Sequence, residues 1–411
     1  RRDLLLPAPH PFTGMTHRIY YTDPFCTAFD ATVQHVTTHE SRTALILDRT
    51  AFYPSSGGQP FDTGRLGDLP VVDVVDLDDG GVAHVLGAAL GSDPDLTLGG
   101  VRPQVPNAGD VVHGEINWAR RFDHMQQHSG QHVISAAFDS LFGARTISFH
   151  LGTDTATIDL DADATPGQIA QAEQEANRIV WDDRPVTIRF VTADEATALP
   201  LRKEPARDGT LRLIDIGGFD LSACGGTHVP RTGAIGLIAV TACERFKGGS
   251  RLTFVCGGRA LQTLRHYRDA VAGSIRLLSV TPDELPPAIE RLQDESRKLR
   301  RTLKHFQEAA AAQEGRALAE RAPLVEGRRL ILTALDGWDA NGLKAIASAA
   351  TAGQGVVAVL LSTAMPVVAV IAASKDVPLD AQAVIGALVA KFGGRGGGRP
   401  EAAATASPPL P

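Results

Sequence analysis

The spacing of apolar and polar positions changes period along the chain, and each change marks a boundary between elements. From Met15 to about residue 110, short β-rich runs ("ATVQHV", "TALILDRTAFY", "VVDVVDL", "GVAHVLG") alternate with Gly, Pro and Asp turns. Such a pattern predicts a small antiparallel β-domain over 15–112 with no helix in it. After "HGEINW" the period lengthens, and Met125, Val133, Ile134, Ala137 and Leu141 fall at helical spacing in "RRFDHMQQHSGQHVISAAFDSLFG". A helix stopping at Gly143 is expected there. A strand pair in "RTISFHLGTDTATIDLD", a helix opening near Thr165 and Pro166, and the strand "VTIRFV" follow. Residues 113–270 therefore read as an α+β domain, with helices packed on one antiparallel sheet.

Farther on, Leu285, Ile289, Leu292, Leu299, Leu303, Phe306 and Ala310 step by fours and threes, with one polar interruption at Ser296. This is a heptad seam of about three or four repeats, so 283–322 is expected to form a helical arm with a partner helix, folded back or from a second subunit. "TPDELPP" marks its start, since proline is tolerated in a first helical turn. Beyond Pro323 the order is strand, helix, strand, strand, helix, closing with "GGRGGGRPEAAATAS". A separate small α/β domain over 323–411 with a Gly-rich loop is expected, and no repeat of solenoid period is visible. The fold class is α+β: β-domain, α+β domain, helical arm and small α/β domain.

The length of 411 residues agrees with two or three domains. The longest apolar stretch, "VVAVLLSTAMPVVAVIAAS", is broken by Pro366 and reads as two buried strands and a turn rather than a membrane helix. Four cysteines in so long a chain do not make a disulfide framework, which implies a reduced, cytoplasmic setting. Residues 1–14, "RRDLLLPAPHPFTG", precede the first methionine and have too short an apolar stretch for a signal peptide, so they read as an over-extended start or a disordered tail. The net charge of -7 excludes a generally cationic surface and leaves nucleic-acid contact to local patches. Arg245, Lys247 and Arg251 of "CERFKGGSR" form one such patch; Arg395 and Arg399 of "GGRGGGR" form another, among glycines whose amides can approach phosphate. The run Arg297, Lys298, Arg300, Arg301 and Lys304 reads equally as a nucleic-acid contact or as an ordinary solvated helix face.

Candidate chemistry begins with His124, His128 and His132, spaced by four. On a helix they share one stripe, with neighbours ~5–6 Å apart between Cβ atoms, so two adjacent members can chelate one ion. Aligned histidines alone are weak evidence, because they are more often helix-face residues. "LSACGGTHVP" adds Cys224 and His228, with two glycines that let the loop fold back. Thiolate plus imidazole suits Zn(II), and two helix histidines with this pair complete a tetrahedron. Cys26, Cys243 and Cys256 have no such company.

"HSGQH", then about ninety residues later "CGGTHV" and "TGAIG", resemble the editing domain of alanyl-tRNA synthetases and the free-standing AlaX-type trans-editing proteins. "DRTAFYPSSGGQPFDTG" and "NWARRFDHMQQHSGQH" resemble the same family upstream. Downstream, the arm and "GGRGGGRP" resemble its oligomerisation arm and C-terminal DHH-associated domain. No Asp-His-His motif accompanies the latter. Because the editing segment starts almost at once, with no aminoacylation domain before it, the long AlaX form is expected, unable to activate alanine.

The resemblance implies a hydrolase that removes serine from mischarged tRNA(Ala), with glycine as a further candidate, and His128, His132, Cys224 and His228 as ligands to Zn(II). Four protein ligands close a zinc site, whereas hydrolytic zinc keeps a position open. One ligand yields, with His228 the first candidate; or the ion becomes five-coordinate; or it only anchors substrate. Gly57, Gly58 and Gln59 are expected to line the substrate pocket, with the Thr50 hydroxyl reading that of serine. His124 is a substrate-facing catalytic residue, a residue that supports the metal ligands from outside, or a surface histidine. The expected partner is the acceptor end of tRNA(Ala), with no membrane and with the arm and C-terminal domain as candidates for a homodimer contact. The rival reading is a tRNA-binding or assembly module whose zinc is purely structural.

Overall fold

The structure is a computed structural model and describes residues 15–87, 104–202, 209–399 and 401–406. The expectation for residues 1–14 lies outside the described residues. Two compact units meet between Ala270 and Val271, so the barrel and the α+β portion share one unit.

The first unit opens with β1 (His17–Arg18), β2 (Ala28–His39), β3 (Arg42–Leu47), β4 (Arg49–Thr50), β5 (Gly64–Leu66), β6 (Leu69–Asp76), β7 (Val82–Leu86) and β8 (Val111–Ile116). Six of these close a barrel in the order β2-β3-β7-β6-β5-β8, which leaves no free sheet edge, while β1 pairs with β4. Alternating residues such as Val33, Leu45, Leu47, Phe52, Val71 and Val74 fill its core, as period-two patterning requires.

Helix α1 (Trp118–Phe142) follows directly. The Asn117 side chain caps it by accepting from the Arg120 N–H, and Gly143 ends it at φ 65°. Met125, Val133, Ile134, Ala137 and Phe138 bury one face against α2 (Pro166–Trp181) and the sheet of β9 (Thr146–Leu151), β10 (Ala156–Leu160), β14 (Ile238–Phe246) and β15 (Gly249–Cys256), in the order β14-β15-β10-β9. Leu141, expected on that face, is exposed at the helix end. At Gly130 an added Cβ would stand 2.2 Å from Cys256 Sγ, so only glycine lets α1 approach β15 this closely. A second sheet, β11 (Val186–Thr192), β12 (Thr210–Ile216) and β13 (Asp220–Ala223), runs into the "CGGTH" loop, and the single turn α3 (Ala193–Thr197) follows β11. Helix α4 (Gly257–Leu278) begins in this unit; the sequence reading passed over it, because it opens on two glycines and its apolar positions Leu261, Leu264 and Tyr267 are exposed.

Barrel and helix are joined through Arg121, which is fully buried. Its Nε donates to both Asp62 oxygens at 3.0 Å, Nη1 to Pro24 O at 2.8 Å, and Nη2 to Ala51 O at 2.6 Å and to Asp62.

The second unit contains α5 (Leu285–Arg321), then β16 (Leu324–Val325), β17 (Arg328–Leu335), α6 (Ala340–Ala350), β18 (Val356–Ser362), β19 (Val368–Ala373), α7 (Ala381–Phe392), β20 (Arg395–Arg399) and β21 (Ala402–Ala406). The sheet order is β16-β17-β18-β19-β21-β20. Ala311 of α5 shares the core of Leu343, Ile346 and Val370, whereas Leu292, Leu299, Leu303 and Phe306 of the heptad seam are exposed. The Gly-rich segment expected as a loop is edge strand β20. Its Gly396 and Gly398 lie so close to Thr405 and Ala403 that a Cβ would clash, and this closeness makes pairing with β21 possible. No helix among the described residues is long and apolar enough to cross a membrane.

Replacing Arg121 by Met strands the Asp62 carboxylate in the interior. The change should cost the first unit about 3–5 kcal/mol, read from urea unfolding, because removing one partner of a buried pair leaves an uncompensated charge.

Candidate metal centre

Four donors from α1 and the "CGGTH" loop converge: one atom each of His128, His132, Cys224 and His228, all within 4.8 Å of one another. The three histidines are buried and Cys224 is half-buried. Cys224 Sγ lies 3.4 Å from Nε2 of both His128 and His228.

The opposite ring nitrogens are held from outside the cluster. His128 Nδ1 lies 2.8 Å from Gln59 Oε1, His132 Nδ1 2.7 Å from Asp220 Oδ2, and His228 Nδ1 3.2 Å from Ser129 Oγ. Gln59 Oε1 also accepts the Thr227 N–H at 3.1 Å, and a backbone N–H can only donate, so this amide atom is the oxygen and His128 must donate to it. Asp220 is a carboxylate, held by Arg202 at 2.6 Å and by Ser222, so His132 also donates from Nδ1. Both rings therefore turn Nε2 inward, the nitrogen through which each ring, once free of its inward proton, would bind a metal. At His228 the partner is a hydroxyl, which can turn either way, at the longest of the three distances.

Charge favours a cation. Burial alone would raise the Cys224 thiol, but His128 and His228 outweigh it and hold the group well below the usual thiol range. Burial would lower His132, yet Asp220 and Cys224 push it up to about 9. For Asp220, burial would raise the carboxyl, but His132 and Arg202 bring it down to about 2. His228 is pushed down to about 3 by burial. One thiolate with three imidazoles is a donor set suited to Zn(II). Arg212 braces the loop, donating through Nη1 to Cys224 O at 2.6 Å and Gly226 O at 2.9 Å. A Cβ at Gly226 would stand 2.2 Å from His128 Cε1, so a side chain there would displace that ligand.

Other expected site residues are placed differently. Gln59 is buried beneath His128, its amide nitrogen bonded to Thr227 Oγ1 at 2.9 Å, so it orients a ligand instead of lining an open pocket. Gly58 packs against Phe149, whose ring stacks on His128 with centroids 5.3 Å apart, while Gly57 stands in an open turn. Thr50, on β4, is 0% exposed. His84 Nδ1 donates to Leu45 O, so Thr50 gives its one proton to His84 Nε2 and accepts the Phe52 N–H, which leaves its oxygen one acceptor position. His124 is 3% exposed and outside the cluster, which excludes a surface histidine. Arg251 is committed to Asp159 at 2.6 and 2.9 Å and to the Phe246 ring, which removes it from the basic patch; Arg245 and Lys247 remain exposed at the β14–β15 turn. Arg395 and Arg399 are exposed on β20. Asp220, Ser129 and Arg212 were not singled out from sequence, although Asp220 stands four residues before Cys224 and Ser129 inside "HSGQH".

A family model described as the threonyl and alanyl tRNA synthetase second additional domain matches residues 211–252, and a DHHA1 domain matches residues 327–409. The chain is similar to alanyl-tRNA editing protein AlaX-L of Pyrococcus horikoshii, 29% identical over 394 residues and 93% of each chain. It is 33% identical over 408 residues to the alanine–tRNA ligase of Halorubrum lacusprofundi, covering 96% of this chain and 42% of that one. The ligase of Pyrococcus furiosus is 33% identical over 307 residues, 72% of this chain and 32% of its own. The chain thus spans less than half the length of these ligases. The solved C-Ala domain of Aquifex aeolicus alanyl-tRNA synthetase aligns with 22% of this chain and 85% of its own at 21% identity, with a TM-score of 0.20 that is too low to establish a shared fold.

The outer partners should rank by how firmly each fixes its ring. With Zn(II) as the probe ion and a competing chromogenic chelator as the readout, Asp220→Asn and Gln59→Leu should each weaken affinity by about 10–100-fold, and Ser129→Ala by less. A larger loss in Ser129→Ala than in the other two would contradict the tautomer assignment.

Proposed function

We propose that the chain is an AlaX-type alanyl-tRNA editing protein and that it hydrolyses the ester joining serine to the 3′-terminal ribose of tRNA(Ala), with glycyl-tRNA(Ala) as a further candidate substrate. The observation that carries the reading is the convergence of His128, His132, Cys224 and His228, with the outer nitrogens of two rings locked as donors. Zn(II) is the ion this donor set suits, and when bound it supplies a Lewis-acidic centre for an ester or water oxygen.

The chain's own residues have distinct parts. Cys224 contributes the charge, and Arg212 holds its loop. His132 and His128 are fixed by a carboxylate and an amide oxygen, so they are the rigid ligands. His228, braced by a hydroxyl alone, is the donor best able to yield its place to substrate. For the RNA, Arg245 and Lys247 are proposed as phosphate contacts in the first unit, and Arg395 and Arg399 in the second. The thiols are all unpaired among the described residues, in keeping with a reducing cytoplasm.

The exposed seam of α5, with Leu292, Leu299, Leu303 and Phe306 open to solvent, is proposed as the contact with a second copy. Light scattering should report a dimer that Leu299→Glu with Phe306→Glu converts to monomer. A monomeric wild-type chain would refute it.

Incubating the zinc-loaded protein with Ser-tRNA(Ala) and with Ala-tRNA(Ala) tests the activity. Serine should be released and alanine retained, and Cys224→Ala should return serine release to the uncatalysed rate. If the loaded protein binds tRNA and releases no serine, the ion is structural and the chain is a binding module.

A further inference from the structure

Beside the metal cluster, α1 turns another part of its surface into an open groove of about 1500 Å³ between the β9–β10 hairpin and the start of α4. Arg120, His124, His150, Arg259, His266 and Tyr267 are among its walls. His124 lies at its floor, one helical turn before His128 and about 6 Å along the axis. The partition is shared: Phe149 stacks on His128, and the next residue, His150, lines the groove. On the other side, Gln59 holds His128 and Pro60 lines the groove.

His124 differs from its neighbours in one respect. The Nδ1 atoms of His128, His132 and His228 each have a partner, whereas His124 Nδ1 is buried with none. A native interior seldom leaves such an atom unsatisfied, and an absent ligand is one explanation. Burial, with Arg120, Arg259 and Arg121 nearby, pushes its pKa down to about 3, so the ring is neutral and offers one donor and one acceptor. Both guanidiniums that line the groove have partners and two carboxylates, Asp123 and Asp154, line it with them: Arg259 grips Asp123 at 2.6 and 2.9 Å and Gly152 O at 2.9 Å, and Arg120 donates to Phe61 O at 3.0 Å. The floor is therefore polar and nearly neutral, while His150, His266 and Tyr267 expose ring faces at the rim.

We propose that this groove binds the unpaired nucleotides adjoining the esterified ribose, with bases against the rim rings and His124 hydrogen-bonding a base or ribose. The proposal rests on the hydrolase reading above. A strand whose last ribose reaches the metal ligands must leave the site along some wall, and this one begins within a helical turn of His128. Neutral hydrogen-bonding groups with open ring faces suit bases, which stack on aromatic side chains irrespective of sequence.

The test is binding of a fluorescein-labelled single-stranded oligoribonucleotide ending in CCA to the zinc-loaded full chain, read by anisotropy. The oligonucleotide carries no ester, so binding is read apart from hydrolysis. His124→Leu and Tyr267→Ala should each weaken it about 5-fold or more, the lower end of what one stacked base contributes, with zinc content unchanged. Tyr267 is 55% exposed, so its variant decides the matter if His124→Leu fails to fold. Unchanged binding in folded variants, or no binding by the wild-type chain, overturns the groove even if serine release persists. Weakened binding in the variants of a chain that releases no serine upholds the groove and rejects the hydrolase reading.

Discussion

The geometry of the candidate metal centre depends on one buried ion pair. Desolvating the Arg121 guanidinium and the Asp62 carboxylate is costly, and the cost is offset only because nearly every remaining donor and acceptor is used: Arg121 also reaches Ala51 O and Pro24 O, and Asp62 accepts the Tyr53 N–H at 2.6 Å. The pair joins the first turn of α1 to the barrel loop that carries Gln59. With the helix so fixed, its own geometry distributes the histidines. Residues four apart are rotated by about 40° at 3.6 residues per turn, so His124 stands about 80° from His132. One stripe therefore serves two places, His128 and His132 turning to the "CGGTH" loop and His124 to the groove beside it.

The three histidines of the cluster are braced by chemically different partners, and the difference matters more than the presence of a hydrogen bond. A carboxylate already held by Arg202 and Ser222 fixes His132 by charge as well as direction. A side-chain amide oriented by a backbone N–H fixes His128 by direction alone. A hydroxyl fixes His228 least, because its proton is free to turn. Stiffness thus falls from His132 to His228 within one cluster, although all three rings are equally hidden from solvent.

What was legible in the sequence follows the range of the interactions involved. The barrel strands, α1 and the strand-helix order of the second unit rest on local periodicity; residue types with their spacing pointed to Cys224, His228 and two adjacent members of the histidine stripe, and the family resemblance singled out His128 and His132. The braces could not be read, because they join residues far apart in the chain: Gln59 to Thr227, His132 to Asp220, Thr50 to His84. The same limit explains Arg251, a free cation in sequence until Asp159 on the neighbouring strand claims it. It also explains "GGRGGGR", where poor strand residues form a strand because β21 offers a close partner. Helix α4 failed for another reason, since its apolar positions face outward and two glycines stand where a cap would be sought.

These pairings also bear on how an acidic chain would meet the RNA substrate proposed for it. Arg121, Arg202, Arg251 and Arg259 are each consumed inside the first unit by a carboxylate. A phosphate would have to compete with partners already in place, and near the metal helix that leaves few cations to track a backbone. Recognition close to the ester then falls to groups that need no charge: ring faces, hydroxyls, amides and a buried neutral imidazole. Such contacts draw little on counterion release, which dominates affinity where phosphates are neutralised. A net charge of -7 is thus compatible with an RNA substrate, provided that the site reads bases and sugars at its floor and leaves phosphate to the exposed Arg245 and Lys247.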